Sequence, residues 1–307
     1  MFAASVGEQH QDTEQRSWVE MVMGLPISVT VRGPEARGAL ADQVVAGVYA
    51  ELRQVDRVFS TYRADSEISL LQSGALAPEL ASTDVREVLE LCAQARTLTG
   101  GHFDAEITQI DGHRALDPSG LVKGWAVEQA ASGLDQLVGH DWLVNAGGDV
   151  LARATYGPAW RIAIEDPRDR SQVLCVLAVQ SGAVATSGTA ARGRHITDPR
   201  TGRPAADHLL SATVIGPSLT WSDVLATAAF VEGPESLGRI AARDGYEGLM
   251  LLPDGNSWAA PAPRVCSATR SSRTSPGQAA ARLTTGGEGS QLGARSGSVR
   301  AHGRDAI

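Results

Sequence analysis

Lys123 is a candidate for chemistry because it is the only lysine in a chain that otherwise takes its permanent positive charges from arginine. An ammonium is a compact point charge that fits beside a phosphate oxygen, whereas a guanidinium is broad and planar. The turn Asp117-Pro118-Ser119-Gly120 leads into a helical pattern, which places Lys123 near a helix start, where backbone N–H groups favour an anion. The sequence therefore predicts an anion site at Lys123. The alternative is that a lone lysine falls here by chance.

Asp223 and Thr227 form a second candidate site. They stand four residues apart on a predicted helix, Trp221–Phe230, so both side chains leave the same face. A carboxylate and a neutral hydroxyl are hard oxygen ligands of the kind that Mg²⁺ takes together with phosphate oxygens and water. The alternative is an exposed helix face with no ligand.

A third group lies in a stretch of small residues and turn formers, where His195, Thr197 and Asp198 come close together in sequence. A histidine in such a loop could be a general base, a phosphate contact or a capping side chain. The glycine-rich stretch 145–149 lacks the spacing of a dinucleotide-binding motif and precedes a strand pattern, so a Rossmann site is not expected.

Helices and strands are both predicted for the elements that must position these groups. Apolar spacing predicts helices over Ala39–Phe59, from Asp84 to Gly100, after Gly120, and over 221–230 and 235–244. Strands are expected at 27–32, 142–144, 160–165, 173–180, 211–216 and 246–252, and a loop over 59–74. We expect an α+β fold: a flexible segment 1–21, one compact domain 22–252 with mixed or antiparallel sheets around a cleft, and a basic, low-complexity tail 253–307.

Composition limits the function classes. The chain has 307 residues, 43% hydrophobic and 20% charged, with a net charge of -8, which argues against a nucleic-acid partner. No stretch reaches the ~20 apolar residues of a membrane span, and the start lacks a signal-peptide pattern. Cys92, Cys175 and Cys266 form no paired motif. We expect a cytoplasmic protein.

Taken in order, the motifs resemble those of the FAD:protein FMN transferases, the ApbE-type flavin transferases. The blocks are Met23-Gly24, FSTYRADSE, TGGHFD, DPSGLVKGWAV, LVNAGGD, ATSG, HITDPRTG and TVIGPSLTWSDVLATAAF. The resemblance implies an ApbE-like domain around a central FAD cleft. It also implies a magnesium-dependent enzyme that moves the FMN half of FAD onto a threonine or serine of a target protein and releases AMP.

The resemblance also implies roles for single residues. Lys123 matches a phosphate-contacting lysine, and His195 matches a histidine beside the reacting phosphates, with His195 or Asp198 as the base. Asp223 and Thr227 match side-chain metal ligands, while Gly120 and Ala226 match positions that lend backbone carbonyls to the metal. The FAD-lining positions are matched by Met23, Tyr62, His102, Phe103, Asp104, Asp117 and Thr197.

Two other functions remain open at this point. An FAD pyrophosphatase would use water in place of the protein hydroxyl and give free FMN and AMP. A non-catalytic flavin-binding protein would keep the cleft without the chemistry, although the joint presence of Lys123, Asp223 and Thr227 argues against it.

Overall fold

Helices and antiparallel strands alternate along the chain, which is the α+β class that the sequence predicts. In the computed structural model, the described residues are 14–108, 112–189, 196–205 and 208–260, with the backbone of 281–283. The helices are α1 (Ala39–Phe59), α2 (Glu67–Gln72), α3 (Thr83–Thr99), α4 (Ser119–Ala131), α5 (Leu219–Glu232) and α6 (Leu237–Ala241). The strands are β1 (Gln15–Val22), β2 (Leu25–Arg32), β3 (Glu106–Thr108), β4 (Arg114–Leu116), β5 (Asp141–Ala146), β6 (Asp149–Arg153), β7 (Trp160–Asp166), β8 (Asp169–Val179), β9 (Ser181–Gly188), β10 (Thr197–Asp198), β11 (Arg203–Pro204), β12 (Ser211–Gly216), β13 (Glu247–Leu251), β14 (Ser257–Ala260) and β15 (Ala281–Leu283).

One large sheet organises the domain. Its order is β1-β2-β5-β6-β9-β12-β13-β14-β15, and each neighbouring pair runs antiparallel. Three two-stranded sheets accompany it, namely β3-β4, β7-β8 and β10-β11. The sequence analysis expects mixed or antiparallel sheets, and the described sheets are antiparallel.

The sheet is covered on both faces because its central strands carry apolar residues in both directions. On β6, Leu151 points into the main core, whereas Val150 and Ala152 belong to a second core cluster on the opposite face. Helices α1, α4 and α5 cover the main core. The β7-β8 hairpin covers the second cluster with residues such as Trp160 and Leu177. The domain thus has three layers, with helices on one face and a hairpin on the other.

The long helix predicted from apolar spacing is confirmed, since α1 covers Ala39–Phe59. The prediction of a loop over 59–74 is wrong, because this stretch contains α2. Ser66 starts this helix, since its side chain accepts a hydrogen bond from Ser69 N. Helix α3 is also present, and its cap is Ser82, two residues before the Asp84 start that the sequence predicts. The side chain of Glu87 accepts a hydrogen bond from Trp125 Nε1, which joins α3 to α4.

Both ends of the expected domain need correction. Strand β1 lies inside the stretch 1–21 that was expected to be flexible, and ion pairs Arg16–Asp42 and Arg53–Glu20 hold it to α1. Its exposed positions alternate with half-buried ones, which is the period of a strand. At the other end β14 extends the sheet beyond residue 252. The division of the chain into one domain and two end segments stays a prediction. The strands at 15–22 and 257–260 extend the domain at both ends.

The expected helix 235–244 is shorter than predicted, since a 3-10 turn at Pro234–Ser236 precedes α6. None of the helices in the described part of the chain has the length and apolar character needed to cross a membrane.

Candidate functional site

A cavity of about 1450 Å³ opens where the helix layer, the sheet and the β7-β8 hairpin meet. Most of the predicted site residues line it, although they come from distant parts of the sequence. They are Met23, Tyr62, His102, Phe103, Asp104, Asp117, Gly120, Lys123, Thr197, Asp223 and Thr227. This volume is above the ~300–1,000 Å³ that is typical of ligand pockets, so a large ligand can enter.

Lys123 lies at the inner wall of this cavity. Its ammonium contacts Oδ2 of Asp149 and lies 3.2 Å from Oδ2 of Asp223. Burial alone would lower the pKa of Lys123, but the carboxylates of Asp223 and Asp149 outweigh burial and hold its pKa above the ordinary value. The ammonium is therefore charged at physiological pH. This environment argues against a lysine placed by chance, because a buried cation is retained only where it is paired.

Asp223 and Thr227 do not lie on an exposed helix face, so that alternative is wrong. Asp223 is 3% exposed and lines the cavity together with Thr227. The hydroxyl of Thr227 lies 3.0 Å from Oγ of Ser187 on β9. A carboxylate and two hydroxyls thus line the same cavity, and Asp223 and Thr227 are one helical turn apart on α5.

The close approach of α4 and α5 brings Lys123 opposite Asp223. A Cβ on Gly124 would come 2.9 Å from Cα of Thr220 and 3.0 Å from the carbonyl oxygen of Leu219, so only glycine permits this spacing. Glu128, one turn further along α4, accepts hydrogen bonds from Leu219 N and from the Ser218 and Thr220 hydroxyls, and so caps α5.

Two rim residues come from loops around the cavity. Met23 and Gly24 form the two-residue turn between β1 and β2, with φ of 53° and 70°. Positive φ at both positions is typical of the type I′ hairpin turn, and it is strained at Met23. Tyr62 is 98% exposed beside the cavity, so its ring is accessible to a ligand or a partner.

The segment 102–104 forms another side of the cavity. The buried ring of Phe103 covers Gly120, where a Cβ would lie 3.1 Å from Cε2 of that ring. His102 Nδ1 lies 2.8 Å from the carbonyl oxygen of Thr99, and its Nε2 lies 2.9 Å from Nη1 of Arg200. The carboxylate of Asp104 pairs with Arg96 and Arg114. Asp117, the next predicted contact along the chain, accepts a hydrogen bond from Ser119 N and so helps to start α4.

Two predicted residues, Asp198 and Ala226, are not among the described residues that line the cavity. The carboxylate of Asp198 is bound by the guanidinium of Arg200. Hydrogen bonds from Arg200 lower the pKa of Asp198, which makes it a weaker base. Ala226 is fully buried in α5, behind the described cavity wall. His195 lies outside the described residues.

Asp149 belongs to this site, but the sequence analysis did not single it out. It begins β6 directly after the glycine-rich turn, which the sequence analysis rejects as a dinucleotide motif and uses only as one block of the ApbE resemblance. It is 3% exposed and accepts a hydrogen bond from Thr186 N at 2.9 Å. The sequence does contain a signal for this residue. An aspartate that follows a tight turn between two apolar strands lies at the end of a sheet, and if it is buried there its carboxylate needs a cation as partner.

The oxygen donors fit a magnesium ion. The described residues contain no group of three or more His, Cys, Asp or Glu side chains that could hold a metal. Magnesium does not require such a group, because it is commonly held by one or two carboxylates together with phosphate oxygens and water. The buried carboxylate of Asp223 and the hydroxyl of Thr227 are a hard-oxygen pair of this kind.

Comparisons with known proteins agree on one family. The model of the ApbE family matches residues 23–114 and 106–250. The FAD:protein FMN transferase of Haemophilus influenzae is 24% identical over 318 residues, which cover 84% of this chain and 92% of that relative. The protein of the same name from Rhodobacter capsulatus is 35% identical over 160 residues, covering 49% of this chain and 30% of its own.

Solved structures give the same result for the fold. The flavin transferase ApbE from Vibrio cholerae superposes with a TM-score of 0.68 at 25% identity, covering 80% of this chain and 96% of that one. The apo flavinyl transferase ApbE from Pseudomonas stutzeri has a TM-score of 0.67 at 25% identity, with 79% and 92% covered. The ApbE protein of Thermotoga maritima, 20% identical with a TM-score of 0.68, shares the fold.

Proposed function

Because this chain belongs to the ApbE family, we propose that it transfers the FMN moiety of FAD to a threonine or serine hydroxyl of a target protein and releases AMP. The observation that carries the proposal is the meeting, in one large cavity, of the charged Lys123 ammonium with the oxygen donors of Asp223 and Thr227. The relatives named above as FAD:protein FMN transferases support it.

The main requirement of this reaction is that negative charge on the pyrophosphate is neutralised; a covalent enzyme intermediate is not needed. The acceptor hydroxyl oxygen forms a bond to the phosphorus of the FMN half, and the bond from that phosphorus to the bridging oxygen breaks, so that AMP leaves with the electron pair. The pyrophosphate is doubly negative, and AMP departs as an anionic leaving group. Lys123, held above its ordinary pKa by two carboxylates, supplies a fixed positive charge for these oxygens.

Magnesium dependence is part of the proposal. Asp223 and Thr227 would hold the ion, which when bound neutralises pyrophosphate charge and stabilises the departing phosphate. Carbonyl contributions from Gly120 and Ala226 stay predictions. Gly120 lines the cavity, whereas Ala226 is buried in α5.

The proton of the acceptor hydroxyl needs a base. Asp198 is the weaker of the two candidates because Arg200 occupies its carboxylate and lowers its pKa. We therefore assign this role to His195 and give Asp198 a positioning role. Through Arg200, Asp198 is linked to His102 on the opposite loop, which ties two sides of the cavity together.

The test is to incubate the full chain with FAD and Mg²⁺, with and without a candidate acceptor protein. AMP and covalently bound flavin should form together, in equal amounts, only when the acceptor is present. AMP and free FMN without acceptor would instead indicate an FAD pyrophosphatase, and no AMP in either arm would indicate a non-catalytic flavin-binding protein. Asp135→Asn is a suitable control because Asp135 is half exposed and pairs with Arg153 on the surface.

The acceptor can be sought by in-gel flavin fluorescence of extract from the native cell after incubation with the protein and FAD. A cytoplasmic location is also part of the proposal.

A further inference from the structure

Two buried carboxylates share a single ammonium at the inner wall of the cavity. Lys123 contacts Asp149 from β6 and Asp223 from α5, and each carboxylate side chain is 4% exposed. Among the described residues, the two carboxylates and the ammonium of this cluster carry a formal net charge of -1. Such a buried excess favours a second cation.

The two carboxylates are not equivalent. Asp149 is fixed to the sheet because its Oδ1 accepts a hydrogen bond from Thr186 N at 2.9 Å. The turn before it is also fixed, since Oδ1 of Asn145 accepts a hydrogen bond from Gly148 N at 2.9 Å. Asp223 instead lies on the helix that carries Thr227, one turn away. The carboxylate of Asp149 is therefore held in place by the sheet, and its contact with the ammonium does not depend on the position of α5.

We propose that Asp149 is the positioning residue that retains the Lys123 ammonium at the cavity wall when a divalent cation takes Asp223. Without Asp149, the lysine has Asp223 as its remaining carboxylate in this cluster, and the lysine and the divalent cation compete for the same oxygens. With Asp149 the two positive charges lie side by side, each with its own carboxylate. The inference builds on the metal site of the proposed function.

The experiment uses the fact that the chain has one lysine. Protein produced with lysine labelled with ¹³C at Cε gives a single side-chain methylene signal for Lys123 in a two-dimensional NMR spectrum. Mg²⁺ alone is titrated into the full wild-type chain and into Asp149→Asn. The asparagine keeps an Oδ1 that accepts the hydrogen bond from Thr186 N, so the turn is preserved while the negative charge is removed.

In wild type, we expect Mg²⁺ to shift the Lys123 signal as Asp223 changes partner, while the signal stays away from the free-lysine position. In Asp149→Asn, the signal should already differ before metal is added, and Mg²⁺ should move it to the position and narrow width of a free lysine side chain. The Mg²⁺ concentration at half change should rise about tenfold. Asp135→Asn, the surface control, should behave as wild type in all three respects.

Identical spectra for Asp149→Asn and wild type, or a wild-type signal that does not respond to Mg²⁺, would overturn the proposal. Both readouts are independent of catalysis. If AMP release and covalent flavin persist while the spectra fail, Asp149 is not the positioning residue and the proposed function stands. If the spectra succeed without any transfer, the proposed function fails instead.

Discussion

The ammonium of Lys123 is held by two carboxylates, which explains why its residue type matters as well as its charge. An arginine at this position would place a wide, planar fork where a point charge fits. Such a fork would pair bidentately with Asp149 or Asp223 and leave less charge for a phosphate.

We therefore expect Lys123→Arg to lower the rate of FMN transfer by on the order of 10²–10³, the loss seen when one well-placed donor to a developing charge is removed. Lys123→Met should be at least as damaging. The measurement is covalent flavin formed per minute at saturating FAD, with thermal unfolding to show that the fold persists. Transfer by Lys123→Arg at the wild-type rate would mean that the phosphates are bound elsewhere, and Arg192, Arg194 and His195 would then be the next residues to test.

The metal pair gives a second prediction at this scale. Asp223→Ala should abolish FMN transfer, because the neutral Thr227 cannot replace a carboxylate that offsets much of the charge of the ion. Thr227→Val should be milder, since phosphate oxygens and water can complete the shell, although it also removes the contact with Ser187. Transfer is measured over a Mg²⁺ titration, with circular dichroism as the folding control. Wild-type activity of Asp223→Ala at limiting Mg²⁺ would contradict the assignment.

At the scale of elements, the pairing of α4 with α5 creates the site. Lys123 and Asp223 lie on different helices, and their distance is set by how closely the two helices approach. Gly124 removes the side chain that would keep them apart, and Glu128 joins the start of α5 to α4. Without this pairing, the ammonium and the metal-binding pair would not share one wall of the cavity.

Gly124→Ala should therefore destabilise the protein by about 1–3 kcal/mol, since the added methyl would meet backbone atoms that cannot move independently of their helix. Helix propensity alone predicts the opposite sign, a gain of up to about 1 kcal/mol. Gly47→Ala on α1 is the matched control, because nothing lies within 4 Å of a Cβ at that position. Chemical denaturation should show a loss for the first variant and a small gain for the second; equal gains would contradict the close packing.

At the scale of the whole molecule, Asp141 joins the large sheet to the segment that leads into the β7-β8 hairpin. Its carboxylate accepts hydrogen bonds from Thr155 N, Tyr156 N and the guanidinium of Arg32, which lies over the ring of Trp160. Burial by itself would raise the pKa of Asp141. These hydrogen bonds and the charge of Arg32 outweigh burial and lower the pKa below its ordinary value.

A lowered pKa fixes the sign of the pH dependence. The contribution of Asp141 is fully present above its unfolded-state pKa of about 3.9, and it is lost as pH falls through the lower folded-state value. Asp141→Asn should cost about 1–3 kcal/mol at pH 7, the cost of breaking hydrogen bonds to a charged group. The difference from wild type should shrink below about pH 4, and urea unfolding at several pH values measures it. A difference that stays constant with pH would show that the carboxylate is not the source of the stabilisation.

Local periodicity and the order of the motifs are enough to predict some parts of this protein. Helix α1 was predicted with its observed bounds, strand β12 likewise, and the order of the motifs identified the ApbE resemblance before any fold was known. Local spacing suffices there because apolar residues at helical or alternating intervals report directly which face of an element is buried.

Tertiary structure alone decided the rest. Strand β9 was missed because small residues in SGAVATSG give little periodic signal, although it lies centrally in the sheet. The sequence analysis assigns strand β1 to a flexible segment because its polar side chains find their partners only in the folded chain, on α1 and on β2. Asp149 is a site residue because it contacts Lys123. Lys123 lies more than twenty residues earlier in the chain, on α4, and the two meet only because the helix layer packs on the sheet. Contacts between distant segments are set by how the layers pack, and no local pattern records them.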